Sequence, residues 1–220
     1  MASTMEKYWE ALLDHVLGLC PACGAAAPGV CTKCWSAWKR EGPFVLRAQP
    51  FLQRSLRRWD ESNEKSIQRL VLSMKVRPRE TTLRLWAREL SLALAAEWGP
   101  SEFLIVHPPG RSGRRERDHA GGLAAAVAEC LQVQLGPELI RVQERRSWGQ
   151  KRAGRDARRE LQFTAAVTDW RRETPIVFID DVLTSGATAE AAWRALGEPS
   201  QFQAWSIFGR DRLDSEEGSG

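Results

Sequence analysis

The chain has 220 residues, 43% of them apolar and 27% charged, enough for one substantial α/β core and a small accessory module. No apolar run approaches the roughly 18 residues of a membrane span, and Glu6, Glu10 and Asp14 stand where a secretory signal would carry basic and then apolar residues, so the sequence reads as cytoplasmic. Formal net charge is only +4, but it is clustered: four arginines lie between Arg111 and Arg117, and a second basic run extends from Arg141 to Arg159. Most charge runs are solvated faces, yet phosphate-bearing partners sense such patches over a Debye length.

In chain order, Trp9, Leu12, Leu13, Val16 and Leu17 fall at helical spacing, predicting a helix over Met5 to Leu17. Two knuckles follow, Cys20-Pro-Ala-Cys23 and Cys31-Thr-Lys-Cys34, separated by seven residues. Doubled Cys-x-x-Cys pairs at this distance can wrap one tetrahedral zinc, with all four positions filled by protein, which makes the site structural rather than catalytic. A disulfide pair and a redox Cys-x-x-Cys are the competing readings; a cytosolic setting disfavours the first and the doubling disfavours the second. Trp35 and Trp38 pack on this module, and Pro43 and Pro50 mark a break. The organisation expected is residues 1–50 for the N-terminal helix and zinc module, 51–212 for an α/β domain, and 213–220 for a disordered tail, with a separate core in each folded part.

A helix is predicted from Ser62 to Lys75, capped by Ser62 or Asn63, with Ile67, Leu70, Val71 and Met74 on one face. Another runs from Glu80 to Trp98 with Leu83, Trp86, Ala87, Leu90 and Leu94 as its stripe, ended by Gly99-Pro100. The rest alternates: strand Phe103–Val106, helix Leu123–Leu131, strand Glu138–Val142, strand Ile176–Ile179, helix Thr188–Leu196 and strand Phe202–Phe208. Alternation of this kind implies a mostly parallel sheet with flanking helices. Cys130, alone in an apolar stretch, reads as a buried small hydrophobe.

The run Val177-Phe-Ile-Asp-Asp-Val-Leu-Thr-Ser-Gly-Ala-Thr188 carries the chemistry. Ligands of open α/β sheets bind at the carboxyl ends of strands, where this run places its turn. Backbone N–H groups of the turn and the start of the next helix form an anion cradle, with Thr184, Ser185 and Thr188 adding hydroxyls and Gly186 allowing close approach. A phosphate alone does not account for Asp180 and Asp181, because carboxylates repel it. A sugar diol bearing a phosphate does, since the acids accept hydrogen bonds from its hydroxyls. A doubly wound protein with an acidic strand end, of response-regulator type, is the alternative.

This run resembles the phosphoribosyl pyrophosphate (PRPP) signature of the type I phosphoribosyltransferases. The resemblance implies that fold, with Asp180 and Asp181 on the ribose 3′- and 2′-hydroxyls as the catalytic acids. It also implies Thr184, Ser185, Gly186, Ala187 and Thr188 on the 5′-phosphate, and magnesium bridging pyrophosphate and ribose. Joined to four cysteines, the domain is similar to the ComF (GntX-like) competence-associated family. Leu72-Ser-Met-Lys75, Val106-His-Pro-Pro109, Arg115 with Ala120 to Ala124, and Ser147-Trp-Gly-Gln150 with Arg158 follow that family's order. Departures are Glu116-Arg-Asp-His119 in place of Gly-Phe-Asn-Gln, and Glu160 where an Asn is usual. Thr184 stands where purine-salvage enzymes carry a proton-handling Asp.

The family implies a role in DNA uptake and natural transformation, with single-stranded DNA and uptake proteins as partners. Transfer of phosphoribose to an unidentified acceptor, without a DNA role, is the alternative, and a PRPP sensor without turnover is a third. Arg111, Arg114, Arg115, Arg145, Arg146 and Lys151 are candidates for pyrophosphate or a nucleic-acid backbone, and Trp148 for stacking on a base.

Overall fold

The computed structural model describes residues 18–27, 29–39, 42–76, 80–99, 102–110, 118–142, 162–166 and 173–210. The helix expected over Met5 to Leu17 and the tail from Leu213 lie outside them. The described elements are α1 (Thr32–Lys39), β1 (Phe44–Arg47), β2 (Leu52–Arg58), α2 (Glu64–Val76), α3 (Glu80–Trp98), β3 (Leu104–Val106), α4 (His119–Leu131), β4 (Gln134–Leu135), β5 (Leu139–Arg141), β6 (Phe163–Ala165), β7 (Ile176–Leu183), α5 (Ala187–Ala195) and β8 (Phe202–Gly209). The architecture is α/β, with a mixed, mostly parallel six-stranded sheet in the order β1-β2-β8-β7-β3-β4. Only β1 runs antiparallel, against β2, whereas β2–β8, β8–β7, β7–β3 and β3–β4 are parallel.

Apolar periodicity explains which face each helix buries. Ile67, Leu70, Val71 and Met74 of α2 and Trp86, Ala87, Leu90 and Leu94 of α3 are all buried. They join Leu123, Ala124 and Val127 of α4 against Val177, Ile179, Trp205 and Ile207 of the sheet. The opposite face carries α5, through Ala189, Ala191 and Ala192 on Phe178, Phe202 and Ala204. Ile176–Ile179 is wholly buried, as expected of a central parallel strand.

Several sequence expectations change. β1 and β2 occupy a stretch read only as a break. Polar residues at buried positions of β2 hid it: Gln53, Ser55 and Arg57 are all below 5% exposed. Residues Leu139–Arg141 do form a strand, but it pairs antiparallel with β6 in a separate two-stranded sheet. α4 starts at His119 rather than Leu123, because Asp118 caps it by accepting a hydrogen bond from the Gly121 N–H at 2.9 Å. Cys130 is exposed, since the buried stripe of α4 runs through Ala120, Leu123, Ala124, Val127 and Ala128 and leaves it on the other side. Finally, Cys20, Ala22 and Trp38 belong to the same apolar cluster as α2, α3 and α4. The four-cysteine segment therefore shares its core with the sheet, and the expectation of two separate cores does not hold.

Candidate functional site

The parallel strands β2, β8, β7 and β3 end along one edge of the sheet, and the acidic run of β7 lies there. β7 extends through both acids to Leu183, so Asp180 and Asp181 are part of the ladder, 8% and 4% exposed. Asp180 sits in register with Ser206 of β8, which pairs in turn with Ser55 of β2. The two serine hydroxyls are 2.5 Å apart, and Ser206 Oγ donates to the Phe208 carbonyl at 2.8 Å. A row of satisfied polar groups thus runs beside the acid pair.

The turn after β7 is fixed from several sides. Arg210 N–H donates to the Leu183 carbonyl at 2.9 Å, and Arg47 Nη1 donates to the Ser185 carbonyl at 2.7 Å. Gly186 takes φ 74° and ψ 0°, the left-handed conformation that L side chains resist, directly before α5. A Cβ there would lie 2.6 Å from Gln53 Oε1, so a larger residue would have to displace the glutamine side-chain end in addition to taking the left-handed φ. Thr184, Ser185, Gly186, Ala187 and Thr188 consequently form one continuous turn and first helical residues, with the N-terminal N–H groups of α5 at its base.

Two side chains that the sequence did not mark as site residues complete the edge. Lys75 Nζ, from the last turn of α2, lies 3.2 Å from Asp181 Oδ2, and His119 Nε2, the first residue of α4, lies 3.3 Å from the same oxygen. His107 follows β3, its Nδ1 3.0 Å from the Pro108 carbonyl oxygen. In the sequence, Lys75 closes a predicted helix and a segment of family likeness, and His119 closes a segment that departs from the family. Nothing in their spacing announces a shared partner.

These contacts split the acid pair. Burial, then the neighbouring Asp181 charge, pushes Asp180 well above the usual carboxylate range, although it accepts the Asp181 N–H at 2.8 Å. Burial also opposes ionisation of Asp181, but the nearby His119 Nε2 and the Lys75 charge outweigh it and hold Asp181 below that range. One acid is thus a fixed anion and the other is poised to be protonated, a division of roles typical of carboxylate pairs in binding and catalytic sites.

Arg111, Arg114, Arg115, Arg145, Arg146, Lys151 and Trp148 lie outside the described residues, as do Glu116, Arg117, Gln150, Arg158 and Glu160.

The cysteines form a second site. Leu19 bridges Ala26, Cys20 N–H donates to the Ala25 carbonyl at 2.7 Å, and Gly24, at φ 76°, closes the first knuckle as a hairpin turn. The second knuckle opens α1, placing Cys34 in its first turn. Cys31 N–H donates to Cys20 Sγ at 3.3 Å, linking the two. All four sulfurs lie within 4.8 Å of one another, and Cys23 and Cys31 are 3.6 Å apart. A tetrahedral zinc with bonds of about 2.3 Å has sulfurs about 3.8 Å apart, so the cluster fits a metal such as zinc. The Cys34 N–H holds the Cys31 thiol down to about 7, in the range where thiolate forms readily. No protein-family model matches this chain, and no curated protein matches it either.

Proposed function

We propose that this chain binds PRPP as a ComF-type member of the type I phosphoribosyltransferases, and that it serves DNA uptake. The observation that carries the reading is the buried acid pair near the end of β7, separated by two residues from the Thr184–Thr188 turn. A phosphate-binding turn needs N–H donors and no acids. A diol needs acceptors and no anion cradle. The two together, on one strand and turn, match a sugar that carries both groups. Asp181, held anionic, accepts from a ribose hydroxyl, Asp180 holds its neighbour, and the turn takes the 5′-phosphate. Magnesium would accompany the ligand and supply positive charge against its pyrophosphate. Zinc on Cys20, Cys23, Cys31 and Cys34 is structural in this reading, because four protein ligands leave no open position.

The DNA role rests on the family likeness and on the basic runs around Arg111–Arg117 and Arg141–Arg159. Transfer of phosphoribose to an acceptor is the second reading, and His119 favours it by supplying a titratable group beside Asp181 in a chain that has Thr184 at the usual acid position.

Titrating PRPP with magnesium into the natural chain and into Asp181→Ala by calorimetry tests the proposal. Saturable binding that the substitution weakens at least tenfold, with inorganic phosphate little affected, is expected. Absence of PRPP binding to the natural chain, or equal loss of both ligands in the variant, refutes it. Pyrophosphate release in an acceptor screen separates turnover from binding.

A further inference from the structure

Asp181 is covered. Its side chain is 6% exposed, and two donors, Lys75 Nζ and His119 Nε2, converge on one carboxylate oxygen. A ligand hydroxyl reaches that oxygen only when one of them gives way. The two are not equally free to do so. Lys75 is 41% exposed, on a flexible four-carbon stem at the end of α2. His119 is 21% exposed and fixed at the first position of α4, between the Asp118 cap and the buried Ala120.

We propose that His119 is the positioning residue of the acid pair: when a ligand displaces Lys75, His119 stays on Asp181 through Nε2 and takes up a proton from solvent. The inference rests on the PRPP reading of the site. The physical argument is charge balance. With Lys75 in place, Asp181 already has a cation 3.2 Å from its Oδ2. Once Lys75 leaves, a buried carboxylate faces an unbalanced desolvation cost, and imidazolium is the nearest group able to relieve it. A phosphorylated ligand adds negative charge and strengthens the demand.

The groups facing His119 are consistent with this. β7 presents Asp180 and Asp181, α2 presents Lys75, the cap of its own helix is Asp118, and the end of β3 brings His107 near Gly121. α3 meets this end of α4 through an apolar contact, Leu83 against Gly122. Among the described residues, the carboxylates there outnumber the cations once Lys75 is removed.

The first experiment uses no ligand: the His119 ring is followed by NMR through a pH titration in the natural chain and in K75M. In K75M the ring should stay protonated to higher pH. An unchanged titration overturns the inference whatever the protein binds.

The second experiment measures PRPP affinity with magnesium from pH 6 to pH 8 for the natural chain, H119Q and H119L. Because PRPP titrates in the same range, the ratio of natural to variant affinity at each pH is the readout. Glutamine keeps the hydrogen bond without the charge, so H119Q should match the natural chain at pH 8 and fall about fivefold behind it at pH 6, the difference between a charged and a neutral hydrogen bond. H119L, which cannot donate, should be weaker throughout. Should either variant fail to fold, H119N repeats the comparison. A ratio independent of pH refutes proton uptake, and wild-type affinity in H119L refutes positioning. If no protein binds PRPP at any pH, the PRPP reading fails, and the NMR result still stands or falls separately.

Discussion

Replacing Asp180 by asparagine should stabilise the free protein. Asp180 is almost fully buried, beside a second carboxylate that is held ionised. Asparagine keeps the shape and keeps the oxygen that accepts the Asp181 N–H at 2.8 Å, but it carries no charge. Because the folded-state titration of Asp180 is raised, its stabilising contribution belongs to the protonated form and is lost as pH climbs through the raised titration. At neutral pH the natural chain therefore bears a cost, of about 1–3 kcal/mol for a buried and poorly compensated polar group. Removing about 1 kcal/mol raises the melting temperature of a chain this size by about 2–4 °C. Thermal melts of the natural chain and D180N at pH 8 and pH 5 measure the effect. The gain should be larger at pH 8 and shrink toward pH 5, as the pH approaches the carboxylate range of the unfolded chain. A D180N chain that melts below the natural one at pH 8, or a gain identical at both pH values, refutes the assignment of the cost to this carboxylate.

Asp181→Asn should act in the opposite direction, lowering stability at neutral pH by about 1–2 kcal/mol, with the difference disappearing as acid protonates the natural residue below the usual carboxylate range; melts from pH 7 to pH 3 check the sign. Gly186→Ala should weaken ribose 5-phosphate binding and cost about 1–2 kcal/mol for its left-handed φ, and Gln53→Ala should relieve the steric part but not the backbone part, as denaturant titration of the double variant would show. Cys31→Ser, or chelation, should lower the melting of the whole chain in one transition, by about 4–8 °C for a loss of about 2 kcal/mol, and elemental analysis should find one zinc per natural chain. Single-stranded DNA affinity should fall with salt at about 0.7 log units per log unit for each phosphate neutralised, and reversing Arg145, Arg146 and Lys151 should flatten that slope; salt-independent binding would remove the nucleic-acid role.

What the sequence disclosed depended on how local the signal was. The stripes of α2 and α3 and the wholly apolar start of β7 follow from periodicity and run length, which need no knowledge of partners. β2 failed the same test. Leu52-Gln-Arg-Ser-Leu-Arg-Arg58 carries three polar side chains that the fold buries, and each is accommodated by something distant. Gln53 lies under Gly186, Ser55 against Ser206, and Arg57 3.9 Å from Glu89 of α3. The acid pair and its turn were legible because strand, acids and turn are consecutive. Lys75 and His119 were not, because residues 106 and 62 positions away from Asp181 meet it only through the packing of α2 and α4.

The same nonlocality ties the two sites together. Trp38, four residues after Cys34, packs on Trp86 at 5.7 Å and on Phe208 at 6.2 Å, and Trp86 lies 5.4 Å from Phe208. Phe208 belongs to β8, two residues beyond Ser206, the strand neighbour of Asp180. From the other direction, the chain leaving α1 becomes β1 and β2, which supply Arg47 to the Ser185 carbonyl and Gln53 to the underside of Gly186. A metal held by the cysteines would therefore anchor, through one shared aromatic cluster and one hairpin, the two elements that brace the turn after β7. Rigid-core packing transmits such displacement because interiors leave little free volume to absorb it. The four cysteines are better understood as part of the scaffold behind the acid pair and its turn than as an appended module.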